Sequence, residues 1–160
     1  MGTGIVVGIE GTPAGRVALE WAFREGLLRG APVTVVHAWG QPVGREVKRM
    51  SDVEAMRASS CMLVAAVAEA ERAVGGKPEV IERSRRGAAA KVLVDEAADA
   101  DLLVVGRAHH AGVVDVLGQS VSAECVRHAN SPVVIVPGSP VPGPAVDVTD
   151  AAAIVGATLD

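Results

Sequence analysis

Residues 4–38 read GIVVGIEGTPAGRVALEWAFREGLLRGAPVTVVHA, and the fold follows from that stretch. Gly4 to Glu10 is a short β-branched run closed by a Gly-Thr-Pro turn, the pattern of a strand covered on both faces. From Pro13 to Arg29 the apolar residues Ala14, Val17, Ala18, Trp21, Ala22 and Leu28 recur at helical spacing. Thr12 stands where an N-cap belongs, and Pro13 suits the first helical turn. Val33 to Ala38 then returns as a second buried strand. Strand, helix, strand in so few residues forms a crossover unit, not a hairpin.

The same alternation continues. Ser51 and Glu54 have the spacing of a capping box, and Met56, Ser60, Leu63, Val67, Ala70 and Val74 form a stripe that stops at Gly75-Gly76. Glu79 to Ser84 reads as a third strand and Ala88 to Ala98 as a third helix. Asp101 to Val105 (DLLVV) and Pro132 to Val136 (PVVIV) read as strands four and five, with a helix over Ser120 to Ala129 between them. Five strands separated by helices cannot pair as hairpins, so the expected fold is α/β: a doubly wound five-stranded parallel sheet with helices on both faces. Residues 1–137 form the expected domain. The sequence PGSPVPGP begins the segment 138–160, read as a proline-rich linker and C-terminal tail.

The 160-residue chain is 49% hydrophobic and 21% charged, with a net charge of -4, which is globular and offers no electrostatic reason to bind nucleic acid or an anionic membrane. No apolar run approaches the roughly 18 residues of a membrane span, and no signal sequence opens the chain, so a cytoplasmic location is expected. Cys61 and Cys125 lie in separate helices, as expected of a reducing compartment. His109 and His110 are adjacent and no further ligands stand at a closing spacing, so no metal site is expected.

In an open parallel sheet a ligand sits beyond the carboxyl ends of the strands where the strand order reverses. That rule brings forward Ile9, Glu10, Gly11 and Thr12 after strand one, and residues 106–122 after strand four. Here the chain resembles a family. VVGRAHHAGVVDVLGQSVSAECVRHANSPVVIV is similar to the C-terminal signature of universal stress proteins, and IVVGIEGTPAGRVALEWAFREGLLRGAPVTVVHAW to their first strand-helix-strand unit. With GAAAKVLVDEAADADLLVVG, the resemblance spans nearly all of residues 4 to 137.

The resemblance implies a strand order of 3-2-1-4-5, a homodimer joined through strand five, and membership of one of two subgroups, of which one binds ATP. The nucleotide-binding subgroup carries Gly, two residues, Gly, nine residues, Gly, then Ser or Thr after strand four. Laid on this chain without a gap, those positions are Gly106, His109, Gln119 and Ser120. Such glycines let backbone N–H groups approach phosphate oxygens, and the following helix N-terminus adds a favourable dipole. Two of the three are replaced, although Gly118 lies one residue before Gln119. The family's aspartate near adenine is Glu10 here, one methylene longer and expected to reach further into the crevice. Ala38 falls where the family places a backbone contact to adenine. Arg107, Val121 and Ser122 complete the candidate set, with Ser120 also open to plain helix capping. Arg83, Arg85 and Arg86, placed in a loop after strand three, offer either guanidinium charge for an anion or a solvated turn.

Rival functions on the same fold lack their residues. A phosphoacceptor domain needs paired carboxylates after strand one, an aspartate ending strand three and a lysine ending strand five. This chain offers Glu10 alone, Ser84 and Val136-Pro137. Flavin binding lacks a hydroxyl-rich first loop and aromatic residues, Trp39 being a stacking candidate more simply explained by packing. No nucleophile elbow, triad spacing or P-loop occurs, so no catalytic residues are expected, and slow ATP hydrolysis would require an intact nucleotide site. The expectation is a stress-response module with an unidentified protein partner and weak or lost ATP binding. The alternative is an adenine-nucleotide sensor, for ATP or AMP, with a variant phosphate loop.

Overall fold

In the computed structural model of the protein, the residues described are 4–40, 50–107 and 120–138. The elements run β1 (Ile5–Gly8), α1 (Pro13–Arg29), β2 (Val33–Trp39), α2 (Asp52–Val74), β3 (Val80–Arg86), α3 (Ala89–Glu96), β4 (Leu102–Arg107), α4 (Val121–His128) and β5 (Val133–Pro137). All four strand pairings are parallel and the order is β3-β2-β1-β4-β5. The doubly wound sheet is therefore as expected, with its reversal point between β1 and β4.

Two apolar cores cover the two faces. Ile5, Val7, Val33, Val35 and Val104 pack with Ala18, Leu19, Phe23, Leu63 and Val67 under α1 and α2. Val6, Val36, Leu103 and Val105 pack with Leu93, Ala97 and Cys125 under α3 and α4. Alternate residues of the interior strands β1, β2 and β4 thus feed opposite cores, which is why those strands are largely apolar. Among the described residues no helix is long and apolar enough to cross a membrane.

The helix ends follow the sequence signals. Thr12 Oγ1 accepts the Gly15 N–H at 3.2 Å with Pro13 opening the first turn of α1. Ser51 and Glu54 form the reciprocal box of α2, the Ser51 N–H donating to Glu54 Oε2 at 2.9 Å and the Glu54 N–H to Ser51 Oγ at 3.3 Å. These donations from Ser51, its backbone N–H first and then its hydroxyl, hold the Glu54 carboxyl below its ordinary range.

The helix faces differ from the expected stripes in two places. The buried arc of α1 runs through Ala14, Gly15, Ala18, Leu19, Ala22, Phe23 and Gly26, and Leu28, on the far side of that arc, is 81% exposed. In α2 the buried polar position is Ser59, not Ser60, and Met56 faces solvent. The residues Ser59, Leu63, Val67 and Ala70 keep helical spacing, so the face is the predicted one with its first turn displaced by one residue. The strand β3 also continues two residues past Ser84, so Arg83, Arg85 and Arg86 lie on an edge strand and not in a loop. Its alternating charge is compatible with an edge because only one side of the ladder is paired.

Candidate functional site

The crevice lies at the carboxyl edge of the sheet, beyond β1 and β4. Both α1 and α4 begin at this edge, so two helix N-termini face it. The turn out of β1 uses Gly11 at φ 76°, a left-handed conformation that side chains resist. Ile9 is 5% exposed, and its N–H donates to the Val36 carbonyl at 2.9 Å. It belongs to the core and brings only its backbone to the crevice.

Glu10 does not extend into the crevice as its length suggested. The Thr12 hydroxyl donates to Glu10 Oε1, and Thr12 in turn caps α1, so the carboxylate folds back over the α1 N-terminus. A carboxylate there is favoured by the free N–H groups and the helix dipole. Beside this turn a groove of about 180 Å³ opens between α1 and α2, with Ile9, Gly11 and Thr12 on one wall and Leu19, Met62 and Ala66 on the other. Arg16 and Glu69 bridge its mouth at 3.3 Å. The described walls enclose less than the roughly 300–1,000 Å³ that surrounds a drug-sized ligand.

Ala38 contributes a peptide. The Val36 carbonyl points to β1, where Ile9 uses it, and the Trp39 carbonyl points the other way, accepting from the Gly87 N–H beyond β3 at 2.8 Å. Backbone groups alternate sides along a strand, so the Ala38 N–H and C=O turn toward the β1 side. The β1–β2 ladder has ended there, its last paired residues being Gly8 and Val36. The Ala38 peptide therefore faces the crevice.

Gly106 has a reason of its own. A Cβ at this position would lie 2.6 Å from the Ala14 carbonyl oxygen and 3.1 Å from the Gly15 nitrogen, both backbone atoms in the first turn of α1. Close passage of α1 over β4 requires the glycine whether or not phosphate binds. Arg107 is the exposed last residue of β4, in register with Pro137. Ser120 caps α4, accepting the Ala123 N–H at 3.2 Å, and its hydroxyl lies 3.2 Å from that of Ser122. Val121 is 41% exposed at the same helix start. His109 and Gln119 lie outside the described residues, as do His110 and Gly118. The structure thus brings Ile9, Glu10, Ala38 and Gly106 to one edge with the α4 start.

Two of the three arginines of β3 are engaged elsewhere. Arg85 pairs with Glu96 of α3, and Arg86 meets Asp52 of α2 at 2.8 Å. Among the described residues no group of three metal-binding side chains occurs.

One cluster had no counterpart in the sequence reading. Trp39 Nε1–H donates to Ser84 Oγ at 2.9 Å, Ser84 Oγ–H donates to Ser59 Oγ at 2.7 Å, and Ser59 Oγ meets His37 Nδ1 at 2.8 Å. Burial holds the His37 imidazole below its ordinary pKa. Ser59 is only 2% exposed; the sequence signal was a polar position within the apolar stripe of α2, which fell one residue off at Ser60.

A parallel doubly wound sheet with helix N-termini and free backbone at its reversal point belongs to the doubly wound α/β proteins, in which ligands bind in the crevice at that point. The universal stress protein family matches residues 2–137, and the chain belongs to that family. It is 36% identical over 141 residues to a universal stress protein of Mycobacterium tuberculosis, covering 83% of this chain and 47% of the relative. A universal stress protein of Mycobacterium bovis is 30% identical over 156 residues, covering 87% and 49%. The chain spans about half the length of these curated relatives. A universal stress protein crystallised in complex with cAMP superposes with TM-score 0.68 at 25% identity, covering 87% of this chain and 100% of that one. One from Archaeoglobus fulgidus in complex with dAMP gives 0.60 at 29% identity, covering 83% and 96%.

Proposed function

We propose that this chain is a non-catalytic stress-response module that binds an adenine nucleotide through its adenosine part and holds a triphosphate only weakly. The observation carrying the reading is the Ala38 peptide, whose N–H and C=O face the crevice past the end of the β1–β2 ladder. Such a donor and acceptor side by side match the acceptor and donor along the adenine edge. Further support comes from the two related proteins solved with cAMP and dAMP. Both ligands are monophosphates.

The phosphate end of the site is poorer. The positions that carry phosphate-loop glycines in the nucleotide-binding subgroup hold His109 and Gln119, Gly106 is required by packing against Ala14, and the Ser120 hydroxyl is used in capping α4. The same observations favour a second reading, a partner-binding module without any nucleotide. Calorimetric titration with AMP, cAMP and magnesium ATP separates the two, after any copurified nucleotide has been removed. Micromolar binding of AMP or cAMP, with ATP no tighter, is expected. Absence of binding up to millimolar concentrations of all three would leave the second reading.

A further inference from the structure

We propose that the hydrogen-bond relay Trp39–Ser84–Ser59–His37 is the device that holds the Ala38 peptide in place to receive the adenine edge; the inference rests on the adenine-nucleotide reading given above. The two ends of the relay are the residues on either side of Ala38. His37 and Trp39 lie on the same face of β2, where Ser84 is the ladder partner of His37. Ala38 itself has no side chain long enough to anchor it, and beyond the β1–β2 ladder only β3 continues beside it. Its position is therefore set by its neighbours, and these are tied to two other elements: Ser84 to β3 and Ser59 to α2.

The relay has a direction. An indole N–H only donates, so Trp39 fixes Ser84 Oγ as acceptor, and the Ser84 hydroxyl then gives its proton to Ser59. Ser59 Oγ accepts from Ser84 and lies 2.8 Å from His37 Nδ1. In the proposed relay the Ser59 proton goes to that nitrogen, so the ring carries its own proton on Nε2. Burial lowers the pKa of the ring and so favours its neutral form. A chain of this kind polarises along its length and loses more than one bond when its centre is removed, because each buried group left over goes unpaired. Ser59, Ser84, His37 and Trp39 act as positioning residues, with the Ala38 backbone as the group that touches the base.

Three measurements on wild type, Ser59→Ala and Ser59→Thr test the proposal: imidazole 15N shifts of His37, amide hydrogen exchange at Trp39 and at Gly87, whose N–H donates to the Trp39 carbonyl, and affinity for adenosine and AMP. The wild type is expected to show the Nε2–H tautomer. In Ser59→Ala the tautomers should mix, exchange at Trp39 and Gly87 should rise while β1 and β4 stay protected, and both ligands should bind about tenfold more weakly. Equal loss for adenosine and AMP is the signature of an effect on the base alone. The threonine variant, which keeps the hydroxyl, should recover most of the loss. Should Ser59→Ala unfold the protein, Trp39→Phe keeps an aromatic side chain while removing the first donor, and a smaller shift in the same direction is expected. Unchanged tautomer and affinity in a folded Ser59→Ala protein would overturn the proposal. A wild type that binds neither adenosine nor AMP would instead defeat the nucleotide reading, while the shifts and exchange rates still report whether the relay holds the strand end.

Discussion

At the scale of single residues, a half-buried imidazole and a buried thiol give the protein a stability window in pH. Burial lowers the His37 pKa, so as pH falls the unfolded chain takes up this proton before the folded one does. The contribution is complete above the ordinary histidine value of about 6.5 and is lost as pH falls from there toward the folded value. At the other end, burial and then the neighbouring Glu124 charge push the Cys125 thiol from 9.0 up to about 11. The unfolded thiol ionises first, so stability is lost as pH rises from 9.0 toward that value. Urea midpoints are expected to be highest near neutrality and to fall on both sides. His37→Gln should flatten the acid limb and leave the alkaline limb alone, whereas Cys125→Ala should do the reverse on a lower overall stability. An acid limb unchanged by His37→Gln would assign that slope to other groups.

At the scale of elements, packing of α1 on β4 accounts for a glycine that the sequence alone suggests is a phosphate ligand. Adding one methyl at Gly106 drives it into the Ala14 carbonyl, a backbone atom that cannot rotate aside. Gly106→Ala should therefore destabilise the protein by about 1–3 kcal/mol in denaturant titrations without any nucleotide present. A variant as stable as the wild type that has lost only nucleotide affinity would return Gly106 to the phosphate site. This glycine also shows how legible the chain is. The alternation of apolar runs and helical stripes was readable because every interior strand is covered on both faces, as Val6 and Val7 feeding opposite cores illustrate. The order of the strands came with the family resemblance, since propensity carries no information on which strands pair. The end of β3 was misplaced because an edge strand bonded on one side accepts Arg85 and Arg86, which read as loop. Of the site, Ala38 was expected for its backbone alone, whereas the direction of Glu10 depends on a bond to Thr12 that spacing does not reveal. Ser59 escaped notice because a serine one position from another serine gives no hint which of them turns inward.

At the scale of the whole molecule, the two edges of the sheet are built differently. The β3 edge carries Glu82, Arg83, Arg85 and Arg86, charges that resist pairing with another strand. The β5 edge reads VVIVP, with Ile135 41% exposed, and nearby α4 leaves Val126 56% exposed. Among the described residues no strand pairs with the outer side of β5; an apolar edge of that kind needs a cover, and the simplest cover is the same edge of a second copy related by a twofold axis. We therefore expect a homodimer through β5. Because the crevice opens beyond β1 and β4, with β5 on the far side of β4, the dimer would leave both crevices open. Sedimentation at micromolar concentration should give a dimer for the wild type. Ile135→Lys places a charge at the centre of the contact and should give a monomer with unchanged far-ultraviolet circular dichroism. A wild-type monomer would overturn the expectation, and a dimer that survives the lysine would move the interface elsewhere. A monomeric variant that binds AMP as the wild type does would show that each copy carries a complete site, as the placement of Ile9, Ala38 and Gly106 within one sheet requires.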